Sequence, residues 1–423
     1  MNKYIAWSFL FLLPLCLEAQ FSSHNGAAKY APANGSKLLI MGQDLGAVGG
    51  LEDYSDGYID HLNHHPAGVT TYTGFPGLTG LSGLANWGAG DVHAQAYVED
   101  ALFNNSFIVI GLYLVDQLGS IIKGESDTQL DNLGGWIKAQ DRPVFLRIGY
   151  EFDGSWNHYD PAQFKEAWIY IVHYFDGLGV MNVSYVWQSH GGNTPNIDRW
   201  YPGDRYVNWV GFSHFNEPNP GANMLAFAEE HDKPVMIAEA TPKVDLKVGD
   251  GTAYWTGWYA PLFDKIYSHD RIKALAYINA DWDSQAMWQG AGWGDSRVQV
   301  NEQVKASWLE EIGKDSWILA SDSLYDMLDY GMWQDSLVSV FRPEVKEAGE
   351  LRVFGDANRL VVHELNHAPM DGITIWDISG RLLYRSQVRN NEYEIESGLI
   401  AGTTLLVLQV QAGDRLLRKK VIL

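Results

Sequence analysis

Eight short apolar runs, each followed by polar or glycine-rich sequence, constrain this chain more than any other feature. They are Lys37–Met41, Gly68–Tyr72, Phe107–Leu114, Pro143–Arg147, Val183–Trp187, Trp209–Phe212, Pro234–Ile237 and Lys273–Ile278. Helical periodicity separates several of them, over Pro161–Leu178, Met224–Glu230 and Trp258–Tyr267. Strands alternating with helices in this way predict an α/β fold, a (β/α)8 TIM barrel, with its site at the C-terminal ends of the strands. Two further helical stretches, Asn301–Ile312 and Trp317–Leu328, close a domain expected over residues 37–332.

The flanks read differently. Lys3, the apolar run Ile5–Leu15 and Ala19 predict a signal peptide over residues 1–19. The run is too short to span a bilayer, so no membrane insertion is expected after cleavage. The only cysteine, Cys16, lies inside this segment, which leaves the mature chain without disulfides. A lipid anchor on Cys16 would need a small residue before it, and Leu15 stands there. Residues 20–36, rich in Ser, Asn, Gly, Ala and Pro, read as a leader or linker, and 333–348 as a second linker. From 349 to 423 the pattern is purely β, with runs from Leu351, Arg359, Gly372, Arg381, Glu392 and Leu405 and turns at Gly380, Gly402 and Gly413-Asp414. That predicts a small β-sandwich.

A formal net charge of −22 repels phosphate backbones and argues against nucleic acid as a partner. Seventeen tryptophans offer flat apolar faces that suit sugar rings or core packing. The stretch Arg147-Ile-Gly-Tyr-Glu151-Phe-Asp-Gly-Ser-Trp156-Asn157 is an apolar strand that ends on a Glu and opens into a Trp-bearing loop. A barrel enzyme displays a catalytic acid in this way. A second apolar strand, Lys233-Pro-Val-Met-Ile-Ala-Glu239, also stops on a Glu, with Pro242 three residues later. Cutting a glycosidic bond needs two carboxyl groups, and strands four and seven can bring them to one barrel mouth. Arg147 lies an even number of residues before Glu151, on the same face, where a cation holds a nucleophile ionised or forms a structural ion pair. Trp156, Trp187 and Trp200 are candidate sugar platforms, and Asp153 reads as a loop-shaping residue.

Three other clusters carry less. His61, His64 and His65 read as a loop near the cleft before they read as metal ligands. Asp281-Trp-Asp283 lacks the run of a calcium loop. Gly74–Gly90 lacks the Lys-Ser/Thr ending of a phosphate loop and reads as a long cleft-shaping connection.

The segments Pro143–Trp156, Trp200–Gly211 and Lys233–Glu239 resemble glycoside hydrolase family 26, the β-mannanase and β-1,3-xylanase family of the clan A retaining glycosidases. The resemblance implies that Glu151 is the acid/base and Glu239 the nucleophile, that no cofactor or metal is needed, and that the chain is a monomer cutting a β-linked polysaccharide internally. β-1,4-Mannan comes first by this reading and β-1,3-xylan second. Trp282 follows the eighth strand, where clan members often place the Trp that floors the sugar subsite. Tyr150 stands where the family usually has His. Where it usually has a Tyr that bonds the nucleophile, Ser213-His214-Phe215-Asn216 stands; Phe215 cannot donate that bond and His214 can. Tyr150 and His214 are therefore expected at the bound sugar, and the two departures keep a non-catalytic glycan-binding barrel as the other reading. The tail, with Ile375-Trp-Asp-Ile-Ser-Gly380-Arg-Leu-Leu, Leu399-Ile-Ala-Gly402 and Lys419-Lys-Val-Ile-Leu423, resembles the C-terminal sorting domain of type IX secretion in Bacteroidota, with Thr403-Thr404 where an aromatic usually follows. It implies the type IX machinery as a partner and export through the periplasm to the cell surface or beyond. A carbohydrate-binding β-module is the other reading of this tail.

Overall fold

The structure is a computed structural model that describes residues 26–335 and, beyond them, 351–356, 359–364, 370–377, 382–390, 392–396, 405–412 and 415–422. The signal peptide, Cys16, residues 20–25, most of the second linker, and the Gly380, Leu399–Gly402 and Gly413-Asp414 parts of the tail motif lie outside the described residues.

Each of the eight apolar runs forms a strand: β1 (Lys37–Gly42), β2 (Gly68–Gly74), β3 (Phe107–Tyr113), β4 (Val144–Ile148), β5 (Val183–Ser189), β6 (Trp209–His214), β7 (Val235–Ala240) and β8 (Ile272–Ile278). All neighbours pair in parallel. β1 pairs with β8, Leu38 opposite Ala274, and this closes the barrel. Side chains alternate between two cores, as the period of a strand requires. Leu38, Ile40, Phe107, Val109, Phe145, Val186, Trp209 and Met236 fill the interior. Leu39, Met41, Ile108, Ile110, Leu146, Trp187, Phe212 and Ile237 face the helices. The longest helix, Pro161–Leu178, is capped by the Asp160 carboxylate, which accepts from the Ala162 and Gln163 amides.

The lower mouth of the barrel is plugged. Tyr30 is 1% exposed and packs edge-on against Phe145 and Trp333, and the Lys29 carbonyl accepts from the Trp209 indole at 2.7 Å. Lys233 donates to the Gly26, Asp204 and Val207 carbonyls. Residues 26–36 are thus part of the domain, not a linker. The same holds at the other boundary, where Trp333 is buried in the helix Tyr330–Asp335. Low hydrophobicity concealed both, because a few aromatics and backbone carbonyls do the packing.

A second correction falls between these ends. Within Trp317–Leu328 only Leu324–Met327 is helical, whereas Trp317–Ile318 is a short strand paired with Lys37–Leu38. The Trp317 indole bonds the Tyr267 hydroxyl and packs edge-on against Phe263, which holds that stretch extended. His64 and His65 precede β2 and sit beside Leu319 and Ala320 at the lower face, away from the cleft, whereas His61 lies in the helix Tyr58–Leu62 and pairs with Asp56. Among the described residues no group of three or more His, Cys, Asp or Glu is placed to hold a metal ion. No described helix is long and apolar enough to cross a membrane.

The C-terminal strands are β9 (Leu351–Asp356), β10 (Arg359–Glu364), β11 (Gly372–Asp377), β12 (Leu382–Gln387), β13 (Glu392–Glu396), β14 (Leu405–Ala412) and β15 (Arg415–Ile422). They form two antiparallel sheets, β9-β10-β13 and β12-β11-β14-β15. Val362 and Ile395 of the first pack with Ile373, Ile375, Leu408 and Val410 of the second in one core. Tyr30→Ala is expected to lower barrel stability by about 3 kcal/mol, as for other buried aromatics cut to Ala, read as a lower midpoint in denaturant unfolding.

Candidate active site

Arg147 is the last inward-facing residue of β4 and is fully buried. Its guanidinium donates to Glu239 Oε1 at 2.6 Å, to Gln188 Oε1 at 2.9 Å and to Thr70 Oγ1 at 3.2 Å. It also lies 5.0 Å from the Tyr72 ring centre and 5.4 Å from that of Tyr150. Simple alternation would point Glu239 outward, because Met236 and Ala238 both face the interior. A register irregularity reverses this: Phe212 pairs with Ile237, but the next residue, Ser213, pairs with Glu239. Ala238 and Glu239 therefore both face in, and Ala240 returns to the outer core. Bulges of this kind re-aim side chains beside sites.

Glu151 lies three residues beyond the end of β4, not on the strand itself. Gly149 (φ 53°) and Glu151 (φ 52°) both take left-handed backbone. That costs a non-glycine residue of order 1 kcal/mol or more, so the surroundings must hold it. Asn157 does so, donating from Nδ2 to the carbonyls of Tyr150 and Glu151, each at 2.9 Å. The Glu151 carboxyl accepts from Ser213 Oγ at 2.7 Å on Oε1 and from the Trp156 indole at 3.1 Å on Oε2. Gln188 links the two acids, donating from Nε2 to Ser213 Oγ at 3.1 Å and to Glu239 Oε1 at 3.4 Å.

Burial, and then the charge of Glu239, push the Glu151 carboxyl up to about 8. Glu239 has a guanidinium against it and Glu151 does not. Burial thus favours the protonated form of Glu151, and it is Glu239 that faces the cation. His190, just after β5, pairs with Asp153 at 3.0 Å, and this bond raises its basicity. Asp153 also accepts from the Ser189 hydroxyl and the His190 amide. It shapes the loop.

The other candidate residues separate. Trp156 is 57% exposed beside Glu151 and packs edge-on to His190. Tyr150 is half-buried against Tyr72, with ring centres 5.1 Å apart. Trp187 is not a sugar platform: it faces outward from β5, has no exposure and stacks on Phe152 at 4.4 Å. Trp282 is only 3% exposed. Its indole bonds Ser296 Oγ, and Trp288 and Trp293 cover it. It is the buried base of a three-tryptophan cluster. His214 gives no bond to Glu239; its Nδ1 is buried without a partner, and burial drives its basicity down to about 3. Arg147 and Gln188 supply the bonds expected from it. His214 instead lines a pocket of about 570 Å³ with Phe215, Pro242 and Trp258. Asp281 pairs with Lys247 at 2.8 Å and with Arg297 at 3.4 Å, which accounts for it without calcium. The Gly74–Gly90 connection reaches the loop after β8, where the Met287 amide donates to Gly88 O.

Thr70, Gln188 and Ser213 were missed from sequence. Their signal was available, because each is polar at an inward position of its strand, and the same parity excludes Trp187.

A parallel barrel with two linked carboxyls at its upper mouth, one pushed up by burial and one against a guanidinium, is the arrangement of a glycoside hydrolase. Residues 115–282 match the model of glycosyl hydrolase family 26. A β-1,3-xylanase of a Vibrio species is 32% identical over 340 residues, 74% of this chain and 72% of that protein. A β-1,3-xylanase of an Alcaligenes species is also 32% identical over 340 residues, 73% and 70% of the two chains. The chain belongs to glycosyl hydrolase family 26. Among solved structures it resembles a modular endo-β-1,4-mannanase of Cellulomonas fimi, with TM-score 0.50, 14% identity and 92% and 94% of the two chains covered. A family 26 β-mannanase of Bacteroides ovatus gives TM-score 0.50 and 15% identity over 69% and 93%. At these identities the likeness speaks for the fold alone.

The raised Glu151 carboxyl has a consequence for stability. Its contribution is full below about 4.5, the unfolded value, and is lost as pH rises toward about 8. Glu151→Gln is expected to match the native protein near pH 4.5 and to exceed it in stability at pH 8, on the order of 2 kcal/mol, measured by denaturant titration at both pH values.

Proposed function

We propose that the protein is a retaining endo-glycoside hydrolase in which Glu151 is the acid/base and Glu239 the nucleophile. The observation that carries this is the asymmetry of the two acids, one against Arg147 and the other buried and protonated beside it. In the first step a Glu239 oxygen bonds the anomeric carbon while the glycosidic bond breaks. The Glu151 proton passes to the leaving oxygen. In the second step water attacks the same carbon, Glu151 takes its proton, and Glu239 leaves as carboxylate. No cofactor enters either step. Because the first step needs protonated Glu151, kcat/KM is expected to fall above about pH 8.

β-1,3-Xylan is the substrate we put first, ahead of the β-1,4-mannan that family resemblance suggested. Two β-1,3-xylanases share 32% of their residues with this chain over 340 positions. The sugar wall also differs from the family pattern, with Tyr150 and Tyr72 packed together where a His is usual. Incubation with β-1,3-xylan, β-1,4-xylan, mannans, mixed-linkage glucan and red-algal galactan, scored by new reducing ends, is expected to rank β-1,3-xylan first. Glu151→Ala and Glu239→Ala are each expected to lower turnover on it by roughly 10⁴-fold. Binding without new ends would instead support a glycan-binding barrel, and wild-type turnover in either variant would overturn the assignment.

For the tail we infer an export address read by type IX secretion, following a signal peptide that takes the chain to the periplasm. Its motif and its own sandwich core support this reading. Removing residues 349–423 is expected to leave hydrolysis intact and to retain the protein in the periplasm of a Bacteroidota host, seen by fractionation.

A further inference from the structure

The polar network between the two carboxyls has a direction. Arg147 carries only donors, so the Gln188 atom facing it at 2.9 Å must be the amide oxygen. The Gln188 amide nitrogen is then turned toward Ser213 and Glu239. Ser213 Oγ accepts from that nitrogen, which leaves its own hydrogen for one acceptor, Glu151 Oε1 at 2.7 Å. The whole chain is buried, with Arg147, Gln188 and Ser213 showing no exposure. Oε2, by contrast, meets only the longer 3.1 Å bond from Trp156, an indole that is largely open to solvent.

We propose that Gln188 and Ser213 are positioning residues that commit Glu151 Oε1 to a fixed donor and so place the transferable proton on Oε2. This rests on the reading of Glu151 as acid/base. A carboxyl oxygen that already accepts a short bond is the poorer place for a proton than one with a weaker donor. The same donor strengthens when Glu151 is ionised, because hydrogen bonds to charged groups exceed those to neutral ones. Ser213 therefore serves both halves of the reaction. It directs the proton outward in the first, and it supports the carboxylate that must activate water in the second. The charged and titratable groups facing Glu151 are Glu239, Arg147, His190 and Tyr150, and the variants below leave all four in place.

The test is the pH profile of Ser213→Ala, Ser213→Thr and Gln188→Met on the preferred polysaccharide and on an aryl glycoside with a good leaving group. Ser213→Ala is expected to move the alkaline limb of kcat/KM upward by about one pH unit. On the aryl glycoside at neutral pH its kcat is expected to fall by roughly tenfold, since the second half-reaction then limits, and to recover as pH rises. Ser213→Thr keeps a hydroxyl and is expected to hold the native limb. Gln188→Met releases the Ser213 hydrogen from its fixed direction and is expected to shift the limb the same way by less. A folded Ser213→Ala enzyme whose limb stays in place overturns the proposal, and so does an unmoved limb in Gln188→Met if the alanine variant does not fold. Glu151→Gln separates this from the parent reading. If that variant keeps an active enzyme with the native alkaline limb, Glu151 is not the acid; if it abolishes the limb, only the Ser213 result is in question.

Discussion

The buried ion pair of Arg147 with Glu239 is the interaction on which the site depends. A guanidinium with no exposure cannot be left unpaired without a penalty of several kcal/mol. Here Nη1 donates to Glu239 and Gln188 and Nη2 to Thr70, three residues from three strands. The pair sets a cation against one acid and leaves the other to burial. It also orients Gln188, through which Ser213 is oriented in turn. A single cation at the upper layer of the barrel thus sets charge, hydrogen-bond direction and strand spacing together.

That layer rests on an apolar one. Phe107, Phe145 and Trp209 fill the interior below Arg147, with a tilted contact at 4.9 Å and an edge-on one at 5.5 Å, and Tyr30 seals the base. Polar residues begin where the aromatics end. The division follows from the barrel itself, since inward positions lower down are enclosed on all sides and those at the C-terminal ends open to the cleft. Two local departures from regular backbone then place the acids. A register shift turns Glu239 inward, and left-handed residues at 149 and 151, held by Asn157, swing Glu151 over the mouth.

The tryptophans show how little residue type alone says about role. Trp187, Trp209 and Trp308 are core, Trp282 is the buried floor of a cluster, and Trp156 is exposed beside the acid. Strand parity separates Trp187 from Gln188, its neighbour, and assigns the first to the helices and the second to the network. Tyrosines near the ends of β2 and β3 and just beyond β4 pack together at the upper mouth. Tyr150 packs against both Tyr72 and Tyr113 there, with ring centres 5.1 and 6.5 Å away.

The eight strands and the two candidate acids were legible in the sequence because each is a local signal: an apolar run of strand length, in two cases leading to a Glu. The β-sandwich was legible for the same reason, through alternation and turn glycines. That Arg147, Gln188 and Ser213 bond the two acids was not, because those contacts join residues 51 to 92 positions apart. Nor was the packing of residues 26–36 and of Trp333, where a few rings and carbonyls do what apolar runs do elsewhere. Sequence by itself determined a barrel with one acid near the end of strand four and another on strand seven. Tertiary structure alone decided which acid faces a cation and which is pushed toward its protonated form, since both follow from burial and from the charges that closure of the barrel brings alongside.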